Sequence, residues 1–235
     1  MARSASVIPK SIRLHPVDTS TISHSWDDLA CDEIEEPIDE PLYAALEGLS
    51  CRANVAFSAG MAAWVLHRLG PFLKLQSPEQ YLECAWATLI DVRYCGLVWE
   101  DSIDDADWTG PIRGPVGRAM HHVMQAIADT LDADQPEIPA ALSYNLAKHV
   151  LDDSPAFLTW AASLRSRLER YSRNDRAPRG APIPCAVLEH AIEPATAPAL
   201  IDGFLAGLNP QKNPFLSSPT KMKAEGFEGT PYRYI

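Results

Sequence analysis

From residue 51 onward, apolar side chains recur at intervals of three and four, and no useful length of the chain alternates with period two. The pattern therefore predicts helices and no strands. Ser50 stands as a capping residue before a run carrying Val55, Phe57, Met61, Trp64, Val65, Leu66 and Leu69. With alanines filling its other faces, that run predicts a central helix, ended by Gly70 and Pro71. Ala59, Gly60 and Ala63 leave room for a neighbouring helix to come close. A short helix over 41–47 precedes it.

Ser77, Pro78 and Glu79 restart a helix that the apolar stripe of Leu82, Trp86, Leu89 and Leu97 carries to residue 99. These two helices are expected to form the heart of the fold. Residues 99–115 read as a polar loop, followed by apolar positions 116, 120, 123, 127 and 131 on one helical stripe. Further helices are predicted over 140–151 and 156–173, with Phe157, Trp160, Ala161, Leu164 and Leu168 sharing a face of the second. A Pro/Gly/Arg linker spans 174–184, and two short helices lie near 185–192 and 196–208. The fold class is all-α: an irregular or orthogonal bundle of seven to eight helices, with stacked helical pairs as a variant. An acidic N-terminal arm covers 1–40, the helical domain 41–208, and an extended Pro/aromatic tail 209–235. No repeat of fixed period supports a solenoid.

Composition sharpens this picture. A chain of 235 residues, 46% hydrophobic, can bury a substantial core, and its 20 prolines punctuate the helices often. Net charge is −11, which argues against nucleic-acid binding, because phosphate contacts need a positive surface, and favours a protein partner with a basic surface. No apolar run reaches the length needed to cross a bilayer or has signal-peptide form, so the expectation is a soluble cytoplasmic protein without a membrane partner. The five cysteines include no CxxC pair and read as reduced, largely buried thiols.

Charge is segregated along the chain. No Lys or Arg occurs between Arg13 and Arg52, while ten acidic residues do. Arg165, Arg167, Arg170, Arg173, Arg176 and Arg179 form a basic stripe, expected to meet the acidic arm of the same chain or of a second subunit, so a homo-oligomer is an open expectation. In the tail, Phe215, Phe227, Tyr232 and Tyr234 accompany four Lys/Arg, and the segment is expected to lie back over the negative body or to serve as a docking peptide.

The sharpest chemical signal is Glu100, Asp101, Asp104, Asp105 and Asp107, bracketed by Trp99 and Trp108. Crowded carboxylates repel unless solvated, paired or bound to a hard metal. Their order differs from the Asp-rich motif of isoprenoid-processing enzymes and fails the EF-hand spacing. On a helix, His122 falls on the polar face and is expected to be exposed, with His121 at the boundary. Glu83, Asp91 and Arg93 are expected in ion pairs, Asp91 with Arg52 or Glu83 with Arg93. No nucleophile elbow, phosphate loop or dinucleotide fingerprint occurs, so no catalytic residue, cofactor or metal is assigned.

The expected function is a non-enzymatic protein-interaction module, such as an adaptor, chaperone or immunity-type inhibitor. Its partner contacts are placed on Asp27, Asp28, Glu35, Glu36, Trp99, Asp101, Asp104, Asp105, Trp108, Phe227, Tyr232 and Tyr234. The alternative is a helical-bundle metal-dependent enzyme using the acidic cluster from Glu100 to Asp107.

Overall fold

A computed structural model describes residues 8–16, 21–73, 75–100, 107–132, 134–173 and 179–234. These are mostly helical, and no strand occurs among them. The helices are α1 (Lys10–Arg13), α2 (Cys31–Glu35), α3 (Glu40–Glu47), α4 (Cys51–Leu73), α5 (Ser77–Thr88), α6 (Gly110–Asp132), α7 (Glu137–Val150), α8 (Pro155–Ser172), α9 (Ala197–Gly207) and α10 (Pro219–Ala224). No helix among the described residues is long and apolar enough to cross a membrane.

Helix α4 is buried on every side along most of its length, as its composition predicts. The Ser50 hydroxyl accepts the Ala53 N–H at 3.3 Å and caps its start. Pro71 does not end α4 but sits in its last turn, where only Phe72 and Leu73 follow the missing N–H. At Gly60 a Cβ would stand 2.7 Å from Leu164 Cδ2 and 3.1 Å from Trp160, so the absent side chain is what lets α8 approach. The most extensive packing of α4 is on α6 and α7 rather than on α5, which corrects the expected heart of the fold.

Helix α5 stops at Thr88, well short of residue 99. Asp91 is the reason. Its Oδ1 accepts the Arg93 N–H at 2.9 Å, and its two oxygens take the Arg93 guanidinium, closing a 3-10 turn at Val92–Tyr94. The chain beyond is extended, and Cys95 forms an antiparallel bridge with Leu216. The Gly96 N–H donates to the Phe215 carbonyl at 2.6 Å, and the Ser217 N–H to Tyr94 at 2.8 Å.

Helix α6 begins at Gly110, inside the segment expected to be loop. Pro111 suits a first turn, where its lost N–H would have no partner anyway. Pro115 is less easily placed, since it deprives the Pro111 carbonyl of its helical donor. His24 supplies one instead, its Nε2–H reaching that carbonyl at 2.8 Å.

The described part of the acidic arm lies on the body. Ile8 and Ile12 are buried, and the Glu189 carboxylate receives the Lys10 and Ser11 N–H groups at the start of α1. Among the described residues no ion pair joins the basic stripe to the arm, although Arg165 lines one cavity with Asp39 of the arm. Arg167 and Arg179 instead donate to the Leu188 and Leu131 carbonyls, and Arg173 pairs with Glu169.

The tail contains α10 and is only partly extended. Phe215, Leu216 and Met222 are buried, and Asn213 donates to the Gln80 carbonyl and to Glu83 Oε2. Asp202 receives both the Arg233 guanidinium and the Tyr234 N–H. Apolar burial and directed polar bonds together hold this segment to the body.

Candidate partner-binding site

A cleft of about 410 Å³ opens where the N-terminal arm crosses the start of α6. Its aromatic walls are Trp26, Trp99 and Trp108. Two glycines one helical turn apart seat Trp26 and Trp108. A Cβ at Gly114 would stand 2.2 Å from Trp26 Nε1, and one at Gly117 would stand 3.0 Å from Trp108 Cβ. The indoles of Trp99 and Trp108 cross at 64° with centroids 4.9 Å apart. Trp99 is buried as the floor, backed by Tyr81 at 5.3 Å and by Phe215 of the tail at 6.0 Å. Trp26 and Trp108 remain half exposed.

Carboxylates rim this aromatic surface. Asp28 accepts the Trp26 indole N–H at 2.6 Å and the Gly110 N–H at 2.9 and 3.1 Å. It thus satisfies an orphan donor at the positive end of α6 while fixing the orientation of Trp26. Glu100 is 54% exposed and pairs with His121 Nδ1 at 2.9 Å. Arg118 also lines the cleft, but Asp32 and Glu35 neutralise it.

Glu35 lies behind the cleft, 1% exposed, and is not the surface group expected. Its Oε1 accepts from His122 Nε2 at 2.8 Å, and Arg118 closes on both its oxygens at 2.9 to 3.1 Å. Burial works to raise the Glu35 pKa, but the hydrogen bonds from His122 and Arg118, with the Arg118 charge, outweigh it and hold the carboxyl below its ordinary value. His122 is buried too, contrary to the polar face its spacing suggests. Burial pushes its pKa down despite Glu35, so the imidazole is neutral and donates through Nε2, leaving Arg118 as the cation of the group. A long-range partner decided both placements, and helical spacing carries no signal of it.

The other expected contact residues scatter. Asp27 is exposed and accepts the Leu29 N–H, and Glu36 is exposed beyond α2. Tyr232 is buried, its hydroxyl donating to the Ser217 carbonyl, so it belongs to the core and not to a docking surface. Phe227 packs between Tyr94 and the Arg93 guanidinium, whereas Tyr234 is 39% exposed. Asp101, Asp104 and Asp105 lie outside the described residues. Asp91 pairs with Arg93 and also feels the Arg52 charge, and Glu83 accepts from Asn213. Among the described residues no group of three His, Cys, Asp or Glu stands together to hold a metal ion.

The structure therefore joins Asp28, Trp99 and Trp108 with Trp26, Glu100 and His121 in one place. The available clue was Gly114 and Gly117, three apart on one helix face. An electron-rich indole surface with carboxylates at its edge is chemistry for a cation. Compared with protein-family models, with curated proteins and with solved structures, this chain shows no significant match.

Proposed function

We propose that this chain is a non-enzymatic protein-interaction module that receives a basic side chain of its partner, Arg or Lys, in the tryptophan cleft. The observation that carries the proposal is the meeting of Trp26, Trp99 and Trp108 with the exposed Glu100 carboxylate in one cleft. A guanidinium or ammonium there lies against indole faces while Glu100 supplies the opposite charge, and the −11 net charge steers basic partners toward it. Adaptor, chaperone and inhibitor roles all use such a contact. In this reading the protein works in the cytoplasm, and its helices form an irregular bundle around α4.

Titration of the intrinsic tryptophan fluorescence with oligoarginine and oligolysine peptides tests this. Saturable binding that weakens with salt is expected, and Trp108→Ala should weaken it about ten-fold, the equivalent of about 1.4 kcal/mol of cation–π contact. Glu100→Gln should flatten the salt dependence. Equal affinity in the wild type and Trp108→Ala, or no saturation at all, refutes the proposal.

A further inference from the structure

A second pocket, of about 420 Å³, lies on the far side of the Cys95 loop between α5, α6 and α10. Tyr81, Met124, Ile127 and Leu131 make it largely apolar, and Lys221 stands at its edge. Two thiols line it, Cys84 from α5 and Cys95 from the loop. Cys84 Sγ reaches the same Phe215 carbonyl that takes the Gly96 N–H, which sets it beside the Cys95 loop, and both thiols are unbridged. Cys84 is fully buried, its sulfur 3.2 Å from that carbonyl, whereas Cys95 is half exposed and faces the Leu97 carbonyl at 3.4 Å.

We propose that Cys95 and Cys84 form a peroxide-reactive dithiol, with Cys95 as the attacking sulfur, Cys84 as the resolving one, and an apolar organic hydroperoxide as the oxidant admitted by the pocket. The Cys95 thiolate attacks the terminal oxygen of the hydroperoxide. The O–O bond breaks, the alkoxide leaves and is protonated to the alcohol, and Cys95 becomes a sulfenic acid, oxidised by two electrons. Cys84 sulfur then displaces the hydroxyl, which leaves with the Cys84 proton as water, and the S–S bond forms. The sum is two thiols and one hydroperoxide to one disulfide, one alcohol and one water.

The environment separates the two roles. The neighbouring Cys84 thiol, with the Lys221 charge, holds the Cys95 thiol below its ordinary value against burial and the Glu225 carboxylate. The Cys95 neighbour, with burial, pushes Cys84 well above its ordinary value, so it keeps the proton that the second step needs. Closing the bond removes the Cys84 hydrogen bond to the Phe215 carbonyl, but the Gly96 N–H still serves that oxygen. The tail contact therefore survives oxidation.

The test treats the full chain with equimolar cumene hydroperoxide, followed by thiol counting and peptide mapping without reduction. The expected result is loss of two free thiols and a cross-linked peptide pair containing Cys84 and Cys95, formed faster than with hydrogen peroxide. In Cys84→Ala the reaction is expected to stop at a sulfenic acid on Cys95 that dimedone traps, with the helical circular dichroism unchanged. Mapping of the wild type decides even where that variant fails to fold. Oxidation of Cys95 to the sulfinic acid without the cross-link, or earlier oxidation of Cys31 or Cys51, overturns the pairing. An equal or higher rate with hydrogen peroxide overturns the assignment of an apolar substrate.

Discussion

Acidification from about pH 7.5 to about 5.5 is expected to destabilise the fold, at a cost set by two buried imidazoles. His122 and His24 are both driven below their ordinary value, in each case by burial first. Glu35 opposes this at His122 while Arg118 and His121 reinforce it; at His24 the Pro111 carbonyl opposes it while His149 and Arg68 reinforce it. In the unfolded chain both rings titrate near the ordinary imidazole value of 6.5. With folded values below the unfolded one, the unfolded chain takes up protons first, so the stabilisation is complete above about pH 6.5 and declines below it. A ring that stays neutral in the fold costs up to about 1.4 kcal/mol over this span, and two cost up to about 2.7 kcal/mol. Urea titrations read this as a midpoint lowered by about 1 M for a slope between 2 and 3 kcal/mol/M. Glu35, whose value is also lowered, adds its own loss only at more acid pH, as the carboxyl protonates. His122→Gln keeps an N–H for Glu35 but cannot titrate, so it should remove about half of the decline. An identical decline in His122→Gln and the wild type would refute the assignment of a neutral, buried His122.

Two glycines in helices should respond oppositely to substitution. Gly60→Val drives methyl groups into Leu164 and Trp160 and should cost about 1–3 kcal/mol in thermal or urea unfolding, while Gly203→Ala, with nothing within 4 Å of the new Cβ, should stabilise by about 0.5–1 kcal/mol. Phe215→Ala should cost about 3–5 kcal/mol and change the near-UV circular dichroism, because the ring stacks behind Trp99. Trypsin should cut slowly after Lys221 and Lys223, which flank the fully buried Met222; rapid trimming with the fold retained would show that the tail is not held.

Local pattern revealed the helices where it acted alone and misled where capping chemistry or a distant partner intervened. Helix α4 was legible because Ser50 and an all-round apolar run agree with each other. The apolar spacing of Leu89 and Leu97 suggested a longer α5, but Asp91 folds back on Arg93 and ends the periodic run. In α6 the reverse happened: Pro111 and Pro115 look like loop residues, and only His24, far away in sequence, makes Pro115 tolerable. Trp99 and Trp108 were legible as neighbours because both flank the acidic run, and their indoles do meet. The partners of Glu35, the meeting of Cys84 and Cys95 in one pocket, and the burial of Tyr232 are tertiary events, and a hydrophobic period has no term for them.

The backing of Trp99 by Phe215 also bears on when the molecule becomes competent during synthesis. Trp26, Trp99 and Trp108 leave the ribosome long before Phe215, and translation proceeds from the N-terminus. Until the tail emerges, Trp99 lacks the ring behind it, and Cys95 and Gly96 lack their bridge to it. A nascent chain thus carries all three cleft tryptophans without a finished cleft floor. Under the proposed function, partner capture through this surface waits for the Phe215 segment to emerge, a delay set by the length of polypeptide between the cleft and the segment that seals it.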